Sequence, residues 1–171
     1  NASLEGNGEV GDPTEVALLV MGAKAGFHRD QLLEEMEEVR EVSFDPDTKM
    51  MATVHRDGDK LLQAVKGAPT AVVEVCTRVL TLEGPREMTG EDREWWLGEN
   101  QRLASEGRRV LALARGSAGD SEEDPYRDLT LLGLTGLLDP VRAEVREPVT
   151  TCRDAGIRVV MVTGDQEETA V

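Results

Sequence analysis

Leu61-Leu62-Gln63-Ala64-Val65-Lys66-Gly67-Ala68-Pro69 is an apolar run that ends on a lysine and meets a proline three residues later. The run reads as a strand, and Pro69, whose φ is already fixed near the helical value, reads as the first residue of a helix. Gly67 carries no Cβ, so it lets another group approach the backbone at the junction. Just upstream, Asp57-Gly58 between the extended runs 50–56 and 60–66 is a strong hairpin signal. Asp45-Pro46-Asp47-Thr48 separates 50–56 from a further run at 39–44. Together they predict an antiparallel meander of three strands.

Further upstream, Gly11-Asp12-Pro13-Thr14-Glu15 reads as a helix start. Asp12 is the N-cap, Pro13 takes the first helical position and Glu15 reaches back in a capping box. That helix runs to about residue 25, and a charged helix follows over 29–38, with Leu32, Leu33 and Met36 on its buried side. Downstream, the pattern predicts a helix at 69–76, a strand at 79–82 and an amphipathic helix at 90–106 closed by Gly107. Strands follow at 109–114 and 129–138. Residues 117–125 between them are acidic and aperiodic, and are expected to form a mobile loop.

After Asp139-Pro140 the pattern changes to a helix over 142–155, a stop at Gly156 and a continuous apolar strand at 157–162, of the kind parallel sheets bury on both faces. We place a domain boundary there, giving units 1–138 and 139–171. The expected fold class is α+β: a twisted, mainly antiparallel sheet flanked by helices, with a short α/β helix-strand stub at the C-terminus.

The 171 residues suffice for one ordinary core, and the formal net charge of -15 opposes nucleic acid and anionic lipid as partners. Any anionic ligand must meet a local basic patch. Cys76 and Cys152 form neither a metal cluster nor a redox pair, and read as small packing residues. His28 and His55 make no metal site, and of Trp95-Trp96 one ring is expected to pack and one to be partly exposed. No apolar run approaches the ~18 residues that would suggest a membrane span. The ends at Asn1 and Val171 look cut, as in an excised fragment.

These strings, in this order, resemble the nucleotide-binding domain of P-type cation-transporting ATPases followed by the start of the second half of their HAD-like phosphorylation domain. Gly11 to Glu15 is similar to the family's G-(D/E)-x-(T/S)-E element, and Lys66 to Pro69 matches K-G-A-P. Arg109 to Ala114 resembles R-x-L-A-x-A, Asp139 to Arg142 the D-P-x-R hinge, and Asp154 to Asp165 the D-A-G-I…T-G-D stretch. Each string alone is weak, whereas five in order are specific. The compact form and Gly-Asp-Pro-Thr-Glu look most like bacterial calcium-type pumps.

The resemblance implies an ATP site. Phe44 would stack on adenine, against the plain reading of a core phenylalanine. Lys66 would lay its stem beside the purine and aim its ammonium at phosphate, with Gly67 admitting the ligand; otherwise Lys66 is a surface lysine at a strand end. Glu15 would bond the adenine amino group or merely close its capping box. Lys49 and Arg109 would reach the phosphates, unless the first is simply solvated and the second guards a strand edge. Asp139 and Arg142 would serve the hinge, and Thr163, Gly164 and Asp165 would lie beside the phosphorylated aspartate of a whole pump. Pro46 and Val141 depart from residues common in calcium pumps.

The Asp-Lys-Thr-Gly-Thr motif that takes the phosphoryl group is absent, as is the Gly-Asp-Gly magnesium loop. The chain is therefore expected to bind ATP, with Mg2+ as its companion, without turnover. The expected partners are the remaining phosphorylation, actuator and membrane domains of the same pump, in a cytoplasmic position on a bacterial cell membrane. The unburied stub offers a route to dimers. An acidic, nonenzymatic docking module is the alternative. A haloacid-dehalogenase-type phosphohydrolase ranks last, since no Asp-x-Asp nucleophile stands near the amino terminus.

Overall fold

Alternation of apolar and polar residues makes 37–67 a meander. In the computed structural model, which describes residues 3–5, 8–120, 122–138, 143–160 and 162, β3 (Glu37–Asp45), β4 (Met50–Asp57) and β5 (Lys60–Gly67) pair antiparallel in sequence. Here β1 and β2 denote the short antiparallel ribbon of Ser3–Glu5 and Gly8–Val10. The β4–β5 turn is tight, with Gly58 at φ 59° as the Asp-Gly signal requires.

Helix α3 (Pro69–Val75) leaves β5 and delivers β6 (Cys76–Thr81), which turns back as β7 (Gly84–Glu87). Helix α4 (Gly90–Ser105) follows, then β8 (Arg109–Ala118) and β9 (Leu129–Leu137). The seven-stranded sheet has the order β3-β4-β5-β8-β9-β6-β7, so the last two strands in sequence sit in the middle. Its pairings are antiparallel except β6 with β9.

One face of the sheet carries the core. Ala52, Val65, Ala112, Ala114, Leu129 and Leu131 project there against Val72 and Val73 of α3, with Trp96 and Leu97 of α4 closing over them. Each fully buried Val or Leu contributes about 1.5–3 kcal/mol. Cys76 joins this core, where burial pushes its thiol up to about 12. Trp95 is exposed while Trp96 packs, as expected. Arg93 of α4 donates to the carbonyls of Val73, Glu74 and Cys76, at 3.2 Å and 2.7 Å for the last two. Those carbonyls close a helix, so one guanidinium caps α3 and fixes α4 against it. Thr89 and Asp92 form the capping box of α4, and Arg86 clamps Asp92 with bonds of 2.6 and 2.7 Å.

Several expectations change. The second helix, α2 (Arg29–Glu35), stops short, and Glu37–Asp45 is strand instead because pairing with β4 offers its backbone bonds that a lone polar helix lacks. The strand expected at 79–82 starts at Cys76 and gains β7 as a partner. Residues after β8 do not hang free: Arg40 Nη1 donates to the Glu123 carbonyl at 2.9 Å, and Tyr126 packs on the core. At the C-terminal end a 3-10 turn (Ala143–Val145) leads to α5 (Arg146–Asp154). No strand forms over 157–160 or at Val162, and Val160 and Val162 are 65% and 92% exposed. An apolar run becomes a strand only when a neighbouring edge takes up its hydrogen bonds, and among the described residues none does so.

Candidate functional site

The second face of the sheet is the open one. Lys66 projects there, because its neighbours Val65 and Gly67 point into the packed side. Met51 stands opposite Lys66 on β4, and Leu113 opposite it on β8. A bulge between Val42 and Asp45 places Ser43 and Phe44 across from Met51 alone. Phe44, Met51, Lys66 and Leu113 thus form one row across four strands. Phe44 is 60% exposed, which removes the reading of a core phenylalanine.

Helix α1 (Pro13–Lys24) reaches over this face. Asp12 caps it by accepting from the Thr14 amide at 2.8 Å, and Pro13 takes the first helical position. The expected capping box does not form: Glu15 turns its carboxylate to Lys66, whose Nζ donates to Glu15 Oε1. The side chains of Lys66 and Glu15 are only 20% and 27% exposed, so the pair is partly desolvated and each charge depends on the other. The Asp12 carboxyl is held below its ordinary range, chiefly by the Thr14 hydrogen bonds and to a smaller extent by the charge of Arg109. The start of α1 therefore feels the cations of both β5 and β8.

Lys49 ends the turn after β3, where its amide donates to the Asp45 carbonyl at 2.7 Å and its backbone sits at φ 57°. The Lys49 carbonyl faces the junction between β5 and α3, where it accepts from the Ala68 amide at 3.0 Å. Gly67 makes this possible, because a Cβ there would lie 2.4 Å from the Lys49 oxygen. The sequence suggested that Gly67 admits a ligand; the structure fills the space with the protein's own backbone, on the packed side of the sheet. Arg109 opens β8 opposite Leu137 and is exposed. It lies three residues, about 10 Å, beyond Ala112, the partner of Gly67. Since β8 is an inner strand, edge protection does not explain Arg109.

Glu15 and Lys66 are thus in contact, Phe44 shares their face, and Lys49 and Arg109 mark the same end of the sheet. Asp139, Arg142, Thr163, Gly164 and Asp165 lie outside the described residues. Sequence reasoning missed Met51 and Leu113, the apolar floor on either side of Lys66, although period-two alternation from Lys66 would have found both. A concavity of about 630 Å³ between α1 and the end of β9 is lined by Val16, Val20, Met21 and Leu137, and by none of the candidate residues. Among the described residues, no three His, Cys, Asp or Glu side chains gather to hold a metal ion, and no helix is long and apolar enough to cross a membrane.

The chain is 36% identical to calcium-transporting ATPase 1 of Bacillus cereus over 99% of its own length and 20% of that protein's. It is 35% identical to the calcium-transporting ATPase of Bacillus subtilis over 94% of its length and 18% of the relative's. Against the sodium/potassium exporting P-type ATPase cta3 of Schizosaccharomyces pombe the identity is 39%, over 94% and 16%. The chain therefore spans a fifth or less of these relatives. The family described as P-type ATPase, cytoplasmic domain N, matches residues 2–144. With that match over most of its length, and with the α+β sheet that carries Lys66, Glu15 and Phe44 on its open face, the chain belongs to the cytoplasmic N domain family of P-type cation-transporting ATPases.

Proposed function

We propose that this chain holds ATP for phosphoryl transfer to an aspartate located elsewhere in an ATP-driven cation pump. The observation that carries the reading is the row on the open face: an exposed phenylalanine, an apolar floor at Met51 and Leu113, and a half-buried lysine tied to a glutamate. A flat purine laid on that floor stacks on Phe44, a contact worth roughly 1–3 kcal/mol. Lys66 lies along the ring, and Glu15 accepts from its exocyclic amine. The phosphates then run toward Lys49 and Arg109, whose fork suits paired oxygens.

The domain's contribution is positional. It fixes the purine and lets the terminal phosphate project, so that transfer becomes a matter of geometry. Mg2+ would bind with the nucleotide, as the described residues supply no metal site of their own. We assign 1–138 to the nucleotide domain and 139–171 to a hinge and partial phosphorylation domain, with Asp139 and Arg142 at the hinge and Thr163, Gly164 and Asp165 beside the acceptor aspartate. The remaining pump domains are the partners, and the position is the cytoplasmic side of a cell membrane.

Titration with ATP, followed by amide NMR, tests this. Saturable shifts are expected at Glu15, Phe44, Lys66 and Arg109. Phe44→Ala should weaken binding about 5- to 150-fold, the equivalent of the stacking energy. Because Phe44 is mostly exposed, its removal should leave the unfolding midpoint nearly unchanged. Absence of shifts at millimolar ATP in the folded chain would refute the assignment.

A further inference from the structure

A second basic site lies on the open face, away from the row just described. Arg115 on β8 and Arg78 on β6 both stand opposite Thr130 of β9. The three side chains thus form a line across adjacent strands, with the arginine Cα atoms about 10 Å apart. They project away from the core, since Ala114, Leu129, Leu131 and Val79 beside them are buried. Around them is a groove of about 650 Å³, also lined by Thr77, Ser117 and Asp128.

Of the six arginines on the seven-stranded sheet, Arg40 and Arg86 hydrogen-bond to a carbonyl or carboxylate, and Arg56 pairs with the Glu37 carboxylate at 3.9 Å. Arg78, Arg109 and Arg115 have no such partner among the described residues, in a chain with 34 acidic side chains to choose from. Charge at a sheet edge discourages pairing with other chains, but β8, β9 and β6 are all interior strands. Protection of an exposed edge therefore does not account for Arg78 or Arg115.

We propose that Arg78 and Arg115 form an oxyanion site for a phosphate-type dianion, seated over Thr130. Two guanidinium forks can each give paired N–H bonds to one tetrahedral anion, and the hydroxyls of Thr130, Thr77 and Ser117 complete its shell. Asp128 at the rim opposes a second negative group, so the groove selects a compact phosphate over an extended polyanion. Arg115 stands only two residues along β8 from Leu113, the partner of Lys66. The site is therefore a neighbour of the proposed nucleotide row on the same face of the sheet.

The test is titration of the folded chain with inorganic phosphate, followed by amide NMR against sodium chloride at matched ionic strength. Saturable shifts are expected at Thr77, Arg78, Arg115, Ser117 and Thr130, with none at Phe44. Arg115→Gln and Arg78→Gln should each weaken phosphate binding about tenfold or more, as loss of a charged hydrogen-bond pair implies. Lys66→Ala should leave it unchanged, which separates this site from the nucleotide reading. Equal responses to phosphate and chloride, or undiminished phosphate binding in both arginine variants, would overturn the proposal. Phosphate shifts confined to Lys66 and Arg109 would also overturn it. Sulfate that competes with phosphate would identify a general oxyanion site and support it.

Discussion

Gly67→Ala should damage this domain far more than the gain of a single methyl group suggests. A Cβ at residue 67 would lie 2.4 Å from the Lys49 carbonyl oxygen, 2.9 Å from Met50 Cγ and 3.0 Å from Met50 Cα. Two of these three atoms are backbone, so no rotamer change relieves the clash. Overpacking of this kind costs about 1–3 kcal/mol. Moving the Lys49 carbonyl also loosens its 3.0 Å bond from the Ala68 amide, a further loss of about 1 kcal/mol. The expected destabilisation is about 2–4 kcal/mol, a large part of the ~5–15 kcal/mol that holds a typical domain. Urea unfolding followed by tryptophan fluorescence measures it, since Trp96 packs on the core. Gly98→Ala is the control: no atom lies within 4 Å of its added Cβ, and it sits inside α4. That change should stabilise by about 0.5–1 kcal/mol. A loss below about 1 kcal/mol for Gly67→Ala would refute the close-approach argument.

Arg93→Met keeps the apolar stem but removes three bonds to the end of α3, and should cost about 2–3 kcal/mol in the same unfolding assay; an unchanged midpoint would show that water caps that helix equally well. Lys49→Gly relieves a left-handed backbone while deleting an ammonium, so stability should hold or rise by up to about 1 kcal/mol as ATP affinity falls. If affinity does not fall, Lys49 serves the turn alone. Of the two cysteines, Cys152 should react at once with an aromatic disulfide at pH 8, whereas Cys76, buried and with its thiol raised to about 12, should react only as the chain unfolds. Two rapid equivalents would contradict the packing around Cys76.

Much of the sheet was legible because local signals and pairing agreed. Asp57-Gly58 demanded a hairpin, Pro13 and Pro69 opened helices, and Gly107, at φ 74°, ended α4. β7 was missed because Gly84-Pro85-Arg86-Glu87 has no apolar period of its own and is strand only by its pairing with β6. The run 157–162 failed in the opposite sense, with a strong period and no partner among the described residues. At the site, Lys66 drew notice through its motif. Its link to Glu15 spans 51 residues, and no local pattern predicts that the carboxylate would abandon its own helix cap for it.

The placement of β8 and β9 between β5 and β6 bears on how the polypeptide is made. When residues up to Glu87 have left the ribosome, they can form only a meander, β3 to β5, and a separate hairpin, β6 with β7. Three strand spacings, about 14 Å, separate β5 from β6, and α3 alone connects them. The inner edge of β5 stays bare until β8 ends at Ala118, and that of β6 until 50 more residues have emerged and β9 ends at Leu137. During synthesis the nascent chain is thus a frame waiting for its centre, and those edges are the surfaces a trigger-type chaperone would have to shield.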